Sequence, residues 1–230
     1  MLNSPILFQT YLKVFTPDEC KEIERLAKLG HNQRGMTGFQ TKDPAHEETF
    51  SGIPNADTGK DSGSAYTIGN QTVTLTSSDI RRSDLWFFNE QWVFERLQQM
   101  FVTANNECHW NLHIETFEDC QYTVYHGHEQ GHYDWHYDAH PWPYGDDTDF
   151  PGKLRKLSAT ILMNDPGEYT GGGFELDGGM ENNERKTEIV KLGGIGDMVI
   201  FSSTIPHRVL PVTEGTRKSM VVWALGPTYK

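Results

Sequence analysis

The chain has 230 residues and an ordinary apolar fraction, enough for one domain that buries most of its surface. Its formal net charge of -12 argues against non-specific nucleic-acid binding and against docking on an anionic membrane, since both need an excess of Lys and Arg. Three cysteines (Cys20, Cys108, Cys120) are too few for a disulfide framework, and no signal peptide or membrane-spanning run is visible, so a soluble cytoplasmic protein is expected.

Thr16-Pro17-Asp18-Glu19 is a capping box with Pro at the first helical position. Cys20, Ile23, Leu26 and Ala27 follow at helical spacing, and Gly30 offers a stop. A second helix is predicted over 89–105, on the stripe Val93, Leu97, Met100, Phe101 and Ala104. Between them, 35–78 is rich in Gly, Thr, Asp and Asn without periodicity, which suits a lid or a disordered segment. From Trp110 onward the pattern changes to short strands. Trp110, Leu112, Ile114 and Thr116 alternate, and further strands are expected at 121–126, 133–138, 157–164, 174–176, 187–190, 198–201, 207–210 and 218–225. Glycine clusters such as Gly171-Gly172-Gly173 and Gly193-Gly194-Ile195-Gly196 punctuate them. Helices first and many short strands afterwards mean a barrel or a double-sheet jelly roll, not a dinucleotide fold.

The densest chemistry lies in Gly131-His132-Tyr133-Asp134-Trp135-His136-Tyr137-Asp138-Ala139-His140. Residues two apart on a strand share a face, so His136 and Asp138 would aim an imidazole and a carboxylate at one point. A histidine from another strand would complete a 2-His-1-carboxylate set, which leaves metal positions open. His132 and Asp134 have the same spacing, so the pair alone leaves two registers. Downstream, His207 is a polar residue in the apolar run 206–211. Ten residues later, Arg217 enters a strand of Met220, Val221, Val222 and Trp223. An Arg at the start of a buried strand needs an anion, and its planar fork suits a small carboxylate.

Tyr133, His136, Asp138, His207, Arg217 and Trp223 form a Tyr-x-x-His-x-Asp, a distal His, a basic residue ten later and a Trp six after that. This arrangement resembles the prolyl 4-hydroxylase-like group of iron(II)/2-oxoglutarate dioxygenases. The stretch 157–164, then Pro166, Tyr169, Gly171-Gly172, His207-Arg208-Val209, Pro211-Val212-Thr213 and Ile80-Arg81-Arg82-Ser83, is similar to the PKHD-type hydroxylase branch. The resemblance covers about 80–226. It selects His136 and Asp138 over His132 and Asp134, because a Tyr stands three residues before His136 and Glu129 stands three before His132.

The resemblance implies an α+β, mainly β fold. A double-stranded β-helix (jelly roll) core would carry N-terminal helices packed on its larger sheet. The whole of 1–230 would be a single domain, with 1–109 a helical, loop-rich support and 110–230 the catalytic core. It further implies that His136, Asp138 and His207 ligate Fe(2+), and that Arg217 binds the distal carboxylate of 2-oxoglutarate. Tyr125, Tyr133, Ser219 and Trp223 would surround that co-substrate, with O2 as oxidant and ascorbate as an accompanying reductant. The implied activity is hydroxylation of a substrate C–H bond with release of succinate and CO2.

Peptidyl proline is the first substrate class the resemblance suggests, and a free amino acid or small metabolite the second. Loop 140–152 is larger and more aromatic than the family pattern, which leaves the substrate open. Trp135, Trp142 and Tyr144 offer rings that would stack on a proline or pack the loop. Arg81, Arg82, Lys153, Arg155 and Lys156 form either a basic strip for an acidic substrate or a solvated face. The contrasting reading is a non-catalytic jelly-roll module holding a structural metal. Such zinc sites usually contain Cys, and none lies near His136 or His207 in sequence.

Overall fold

A computed structural model describes residues 6–30, 32–34, 63–68, 71–76, 80–181 and 184–229. Most of the 35–78 segment, and with it the expected lid, lies outside the described residues. In chain order the elements are β1 (Phe8–Tyr11), α1 (Pro17–Ala27), β2 (Asn32–Arg34), β3 (Gly63–Ile68), β4 (Gln71–Thr76), β5 (Arg81–Arg82), β6 (Asp84–Phe88) and α2 (Gln91–Glu107). After these come β7 (Thr116–Phe117), β8 (Cys120–His126), β9 (His132–His136), β10 (Lys153–Leu162), β11 (Tyr169–Gly171) and β12 (Phe174–Glu181). The last four are β13 (Glu184–Val190), β14 (Met198–Ser202), β15 (His207–Val209) and β16 (Val212–Pro227).

Two antiparallel sheets make the jelly roll. The larger runs β1-β14-β10-β16-β8-β6-β2, with β7 and β11 also paired to β16, and the smaller runs β13-β12-β15-β9-β5. Strands β3 and β4 form a separate hairpin. The division expected at residue 109 does not divide the sheets. Strands β1, β2 and β6 belong to the larger sheet and β5 to the smaller, so the N-terminal part supplies strands as well as helices.

Helix α1 begins as the capping box dictates: Thr16 Oγ1 accepts from the Glu19 amide, and Glu19 Oε2 accepts from the Thr16 amide (2.8 Å). Helix α2 starts two residues later than predicted, because the Asn89 side chain donates to Asp119 instead of capping. The stretch 110–115 is a correction. It alternates as expected, and Trp110, Leu112 and Ile114 pack on the core, yet no strand forms there. His109 and Asn111 adopt positive φ, and Asn105 Oδ1 accepts from the Leu112 amide, so the chain enters the sheet only at β7.

The two faces of the larger sheet differ. One buries Leu157, Ala159, Ile161, Met220, Val222 and Ala224 against Ile23, Val93, Leu97 and Phe101 of the helices. On the other face stand Gln121, Thr123, Ser158, Thr160, Arg217 and Ser219, all buried. Polar residues recur at alternate positions on a face that is itself closed to solvent, so the sheet encloses a partly polar interior. A second apolar cluster, including Tyr125, Phe174, Leu176, Phe201 and Val212, fills part of the space between the sheets.

Candidate metal and co-substrate site

His136 ends β9 and pairs in register with His207 of β15. From there the ladder advances two residues on β15, to Val209, and three on β9, to Tyr133. The extra residue is a bulge, and it turns Tyr133 and His136 to the same face although they are three apart. Their rings stack, with centroids 3.4 Å apart and planes 11° from parallel. The Trp135 ring lies against the guanidinium of Arg208, itself paired with Glu175.

Asp138 does not belong to the strand, as 133–138 had suggested. It sits in the turn beyond β9, where its amide and that of Ala139 donate to the Ser203 carbonyl. This brings Asp138 Oδ1 to 3.8 Å from His136 Nε2 and Oδ2 to 3.4 Å from His207 Nε2. One ligand atom from each residue lies within 4.8 Å of the others. Each imidazole is oriented from behind: His136 Nδ1 donates to the Asp134 carbonyl (2.7 Å) and His207 Nδ1 to that of Ile205 (3.0 Å). The Nε2 atoms are thereby left as acceptors, the form a metal requires.

Burial pushes the His136 pKa down to about 3, so the ring is neutral. Burial alone would raise the Asp138 carboxyl, but His207, His136 and Arg155 hold it at about 2. Asp138 Oδ2 is buried without a hydrogen-bond partner. Two imidazoles that turn their Nε2 atoms to an ionised carboxylate with an unpartnered oxygen fit a divalent cation. The other His-x-Asp pair does not assemble. His132 Nδ1 bonds the Gln130 carbonyl, and Asp134 turns back to the Trp135 amide.

Arg217, only 2% exposed, has no carboxylate partner among the described residues. Its Nη1 donates to Ser219 Oγ (3.2 Å) and its Nε has no partner. Tyr125 faces it across the β8–β16 ladder, with the guanidinium carbon 5.5 Å from the ring centroid. Arg217 lines a cavity of about 370 Å³ together with Leu162, Tyr169, Gly172 and Phe174. Gly172 has φ +63°, and a Cβ there would stand 2.7 Å from Arg217 Cδ, so glycine is what leaves this arginine its space. A buried cation opening on a cavity fits a small dicarboxylate.

Of the other expected residues, Trp223 carries the Arg155 guanidinium over its ring (3.8 Å) and has an unpartnered, buried Nε1. Tyr144 donates to Glu118 Oε1 and thereby ties loop 140–152 to the Glu118–Arg155 pair. Trp142 is 45% exposed in that loop. Arg82 donates to the Glu129 carbonyl. Sequence reasoning missed the polar interior residues Gln121, Thr123, Ser158 and Thr160. Their signal was alternation on strands whose apolar face was already assigned to the core.

The jelly roll thus carries a two-histidine, one-carboxylate cluster and a buried arginine that lines a cavity. Residues 120–225, a little under half of the chain, match the model of the 2OG-Fe(II) oxygenase superfamily. A PKHD-type hydroxylase of Maricaulis maris is 38% identical over 81 residues, which make up 35% of this chain and 34% of that protein. The chain thus matches about a third of that relative's length. Among solved structures, a viral collagen prolyl hydroxylase from Paramecium Bursaria Chlorella virus-1, in a 2OG complex, superposes with TM-score 0.54 at 17% identity, covering 96% of this chain and 97% of that one. A Trichoplax adhaerens prolyl hydroxylase, in complex with a hypoxia inducible factor peptide fragment, gives 0.56 at 16% identity, covering 97% and 84%. These two likenesses establish the fold. No helix among the described residues is long and apolar enough to cross a membrane.

Proposed function

We propose that this protein is an iron(II)- and 2-oxoglutarate-dependent dioxygenase that hydroxylates a substrate C–H bond. The observation that carries it is the conjunction of His136, Asp138 and His207 with a buried arginine that lacks a counterion. In this reading the three residues hold the iron. Arg217 and Ser219 receive the far carboxylate of 2-oxoglutarate, with Tyr125 beside them. Iron bound there would supply activation of O2 coupled to decarboxylation of 2-oxoglutarate, giving succinate and CO2.

The chain's own part is positioning. Carbonyls of Asp134 and Ile205 fix the imidazole tautomers, and Ser203 and Arg155 hold the Asp138 backbone. Apolar packing by Phe174 and Phe201 against His207 keeps water from that flank. Prolyl hydroxylases among the structural neighbours support a prolyl substrate, and Trp142 and Tyr137, the latter 62% exposed, offer rings beside the metal-binding turn.

Anaerobic titration of metal-free protein with iron(II) and then 2-oxoglutarate tests this. A visible metal-to-ligand charge-transfer band is expected in the parent and in His132→Ala, and is expected to be lost or altered in Asp138→Ala. Iron binding without any band in the parent would sink the 2-oxoglutarate reading.

A further inference from the structure

The basic strip read from the sequence dissolves once each cation is followed to its partner. Lys153 pairs with Glu115, Arg155 pairs with Glu118, Arg82 donates to the Glu129 carbonyl, and Lys156 Nζ lies 3.3 Å over the Tyr229 ring. Arg81 is the exception. It is 7% exposed and its Nε donates to Ser83 Oγ (3.0 Å). Among the described residues no carboxylate pairs with it, and neither Nη has a hydrogen-bond partner.

Its position is specific. Arg81 pairs with Tyr133 across the β5–β9 ladder, so both side chains leave the same face of the smaller sheet. The guanidinium carbon lies 4.4 Å from the Tyr133 centroid, and Tyr133 is the ring stacked on His136. Tyr133 thus supports the flat face of Arg81, and the two Nη groups remain for a ligand. A guanidinium stripped of most of its water and given no anion is costly, and its fork matches a carboxylate bidentately. In the function proposed above, on which this step rests, 2-oxoglutarate places one carboxylate at the metal and the other at Arg217. Neither is left for Arg81.

We propose that Arg81 recognises a carboxylate of the substrate, which is therefore an acid: a free amino acid or a peptide that presents a carboxylate next to the reacting residue. Arg81 is then a specificity-determining residue, placed across the Tyr133 ring from the metal-binding histidine.

The test uses full-length protein loaded anaerobically with iron(II) and 2-oxoglutarate. Calorimetry follows binding of the common L-amino acids and short prolyl peptides, each as the acid and as the carboxamide. At least one acid is expected to bind about tenfold or more tighter than its amide. Whether free amino acids or only peptides do so distinguishes the two sources. Arg81→Gln is expected to erase the preference while leaving half-saturation by 2-oxoglutarate within about twofold, and Arg81→Lys to retain part of it, which separates recognition from misfolding. Equal binding of acids and amides, or binding of no acid in the panel, overturns the proposal. So does an Arg81→Gln variant whose defect lies in 2-oxoglutarate affinity instead. Loss of the charge-transfer band in the parent, with acid-selective and Arg81-dependent binding intact, would overturn only the function on which the proposal was built.

Discussion

Arg155 and Arg217 enter the interior of the jelly roll from neighbouring strands, and their surroundings could hardly differ more. Arg155 is held by both oxygens of Glu118 (2.7 and 2.6 Å), lies over Trp223, and reaches the Asp138 carbonyl. Arg217 meets a serine hydroxyl, an aromatic ring and a cavity. Both are cations largely shielded from water, Arg217 at 2% exposure and the Arg155 side chain at 17%, so shielding alone says nothing of their roles. The location of the neutralising anion does. Where the protein supplies it, the arginine is part of the frame; where it does not, as at Arg217, the arginine suits the co-substrate role proposed above.

The sharpest way to break this contrast is to remove the anion from the frame. Glu118→Gln keeps the shape and leaves Arg155 charged and unpaired, which is expected to cost about 3–5 kcal/mol in chemical denaturation. Arg217→Ala is expected to behave oppositely. Stability should stay level or rise, whereas half-saturation by 2-oxoglutarate should rise about 10- to 150-fold, the worth of about 1.5–3 kcal/mol for a hydrogen bond to a charged group. Destabilisation by Arg217→Ala as large as that by Glu118→Gln would erase the distinction.

A smaller effect belongs to the helix that supports the sheet. Thr16→Ala removes one half of the α1 capping box and is expected to cost about 1 kcal/mol, with no change in iron or 2-oxoglutarate binding. The other half titrates. Glu19 is lowered from 4.5 to about 2 by the Arg96 side chain and the Thr16 amide. Because the folded pKa is the lower one, its stabilisation is present above about pH 4.5 and fades as pH falls towards 2. Glu19→Gln should flatten that part of an acid-unfolding profile; an unchanged profile would place the acid sensitivity elsewhere.

Residue patterns made some of this legible in advance. The capping box located α1 because its signals are local, and the strands at 121–126 and 198–201 were found by alternation or by short apolar runs. Among the strands missed were β1, β5, β6 and β11, which are too short to show a period and form only by pairing with partners far along the chain. The alternation at 110–115 misled for the complementary reason. It correctly marks the side chains that pack on the core, but ladder formation needs a free backbone edge.

The sequence by itself determined the chemistry available: two histidines and an aspartate at suggestive spacing, an arginine at the entrance of a buried strand, and glycines where side chains would not fit. Spacing alone left two His-x-Asp registers, which the resemblance resolved towards His136 and Asp138. Only the tertiary structure shows how that pair assembles, through a bulge that turns Tyr133 and His136 to one face and a turn that brings in Asp138. It also decided which arginines are neutralised. Charge pairing depends on residues tens of positions apart, such as Arg155 with Glu118, and no local pattern encodes that distance.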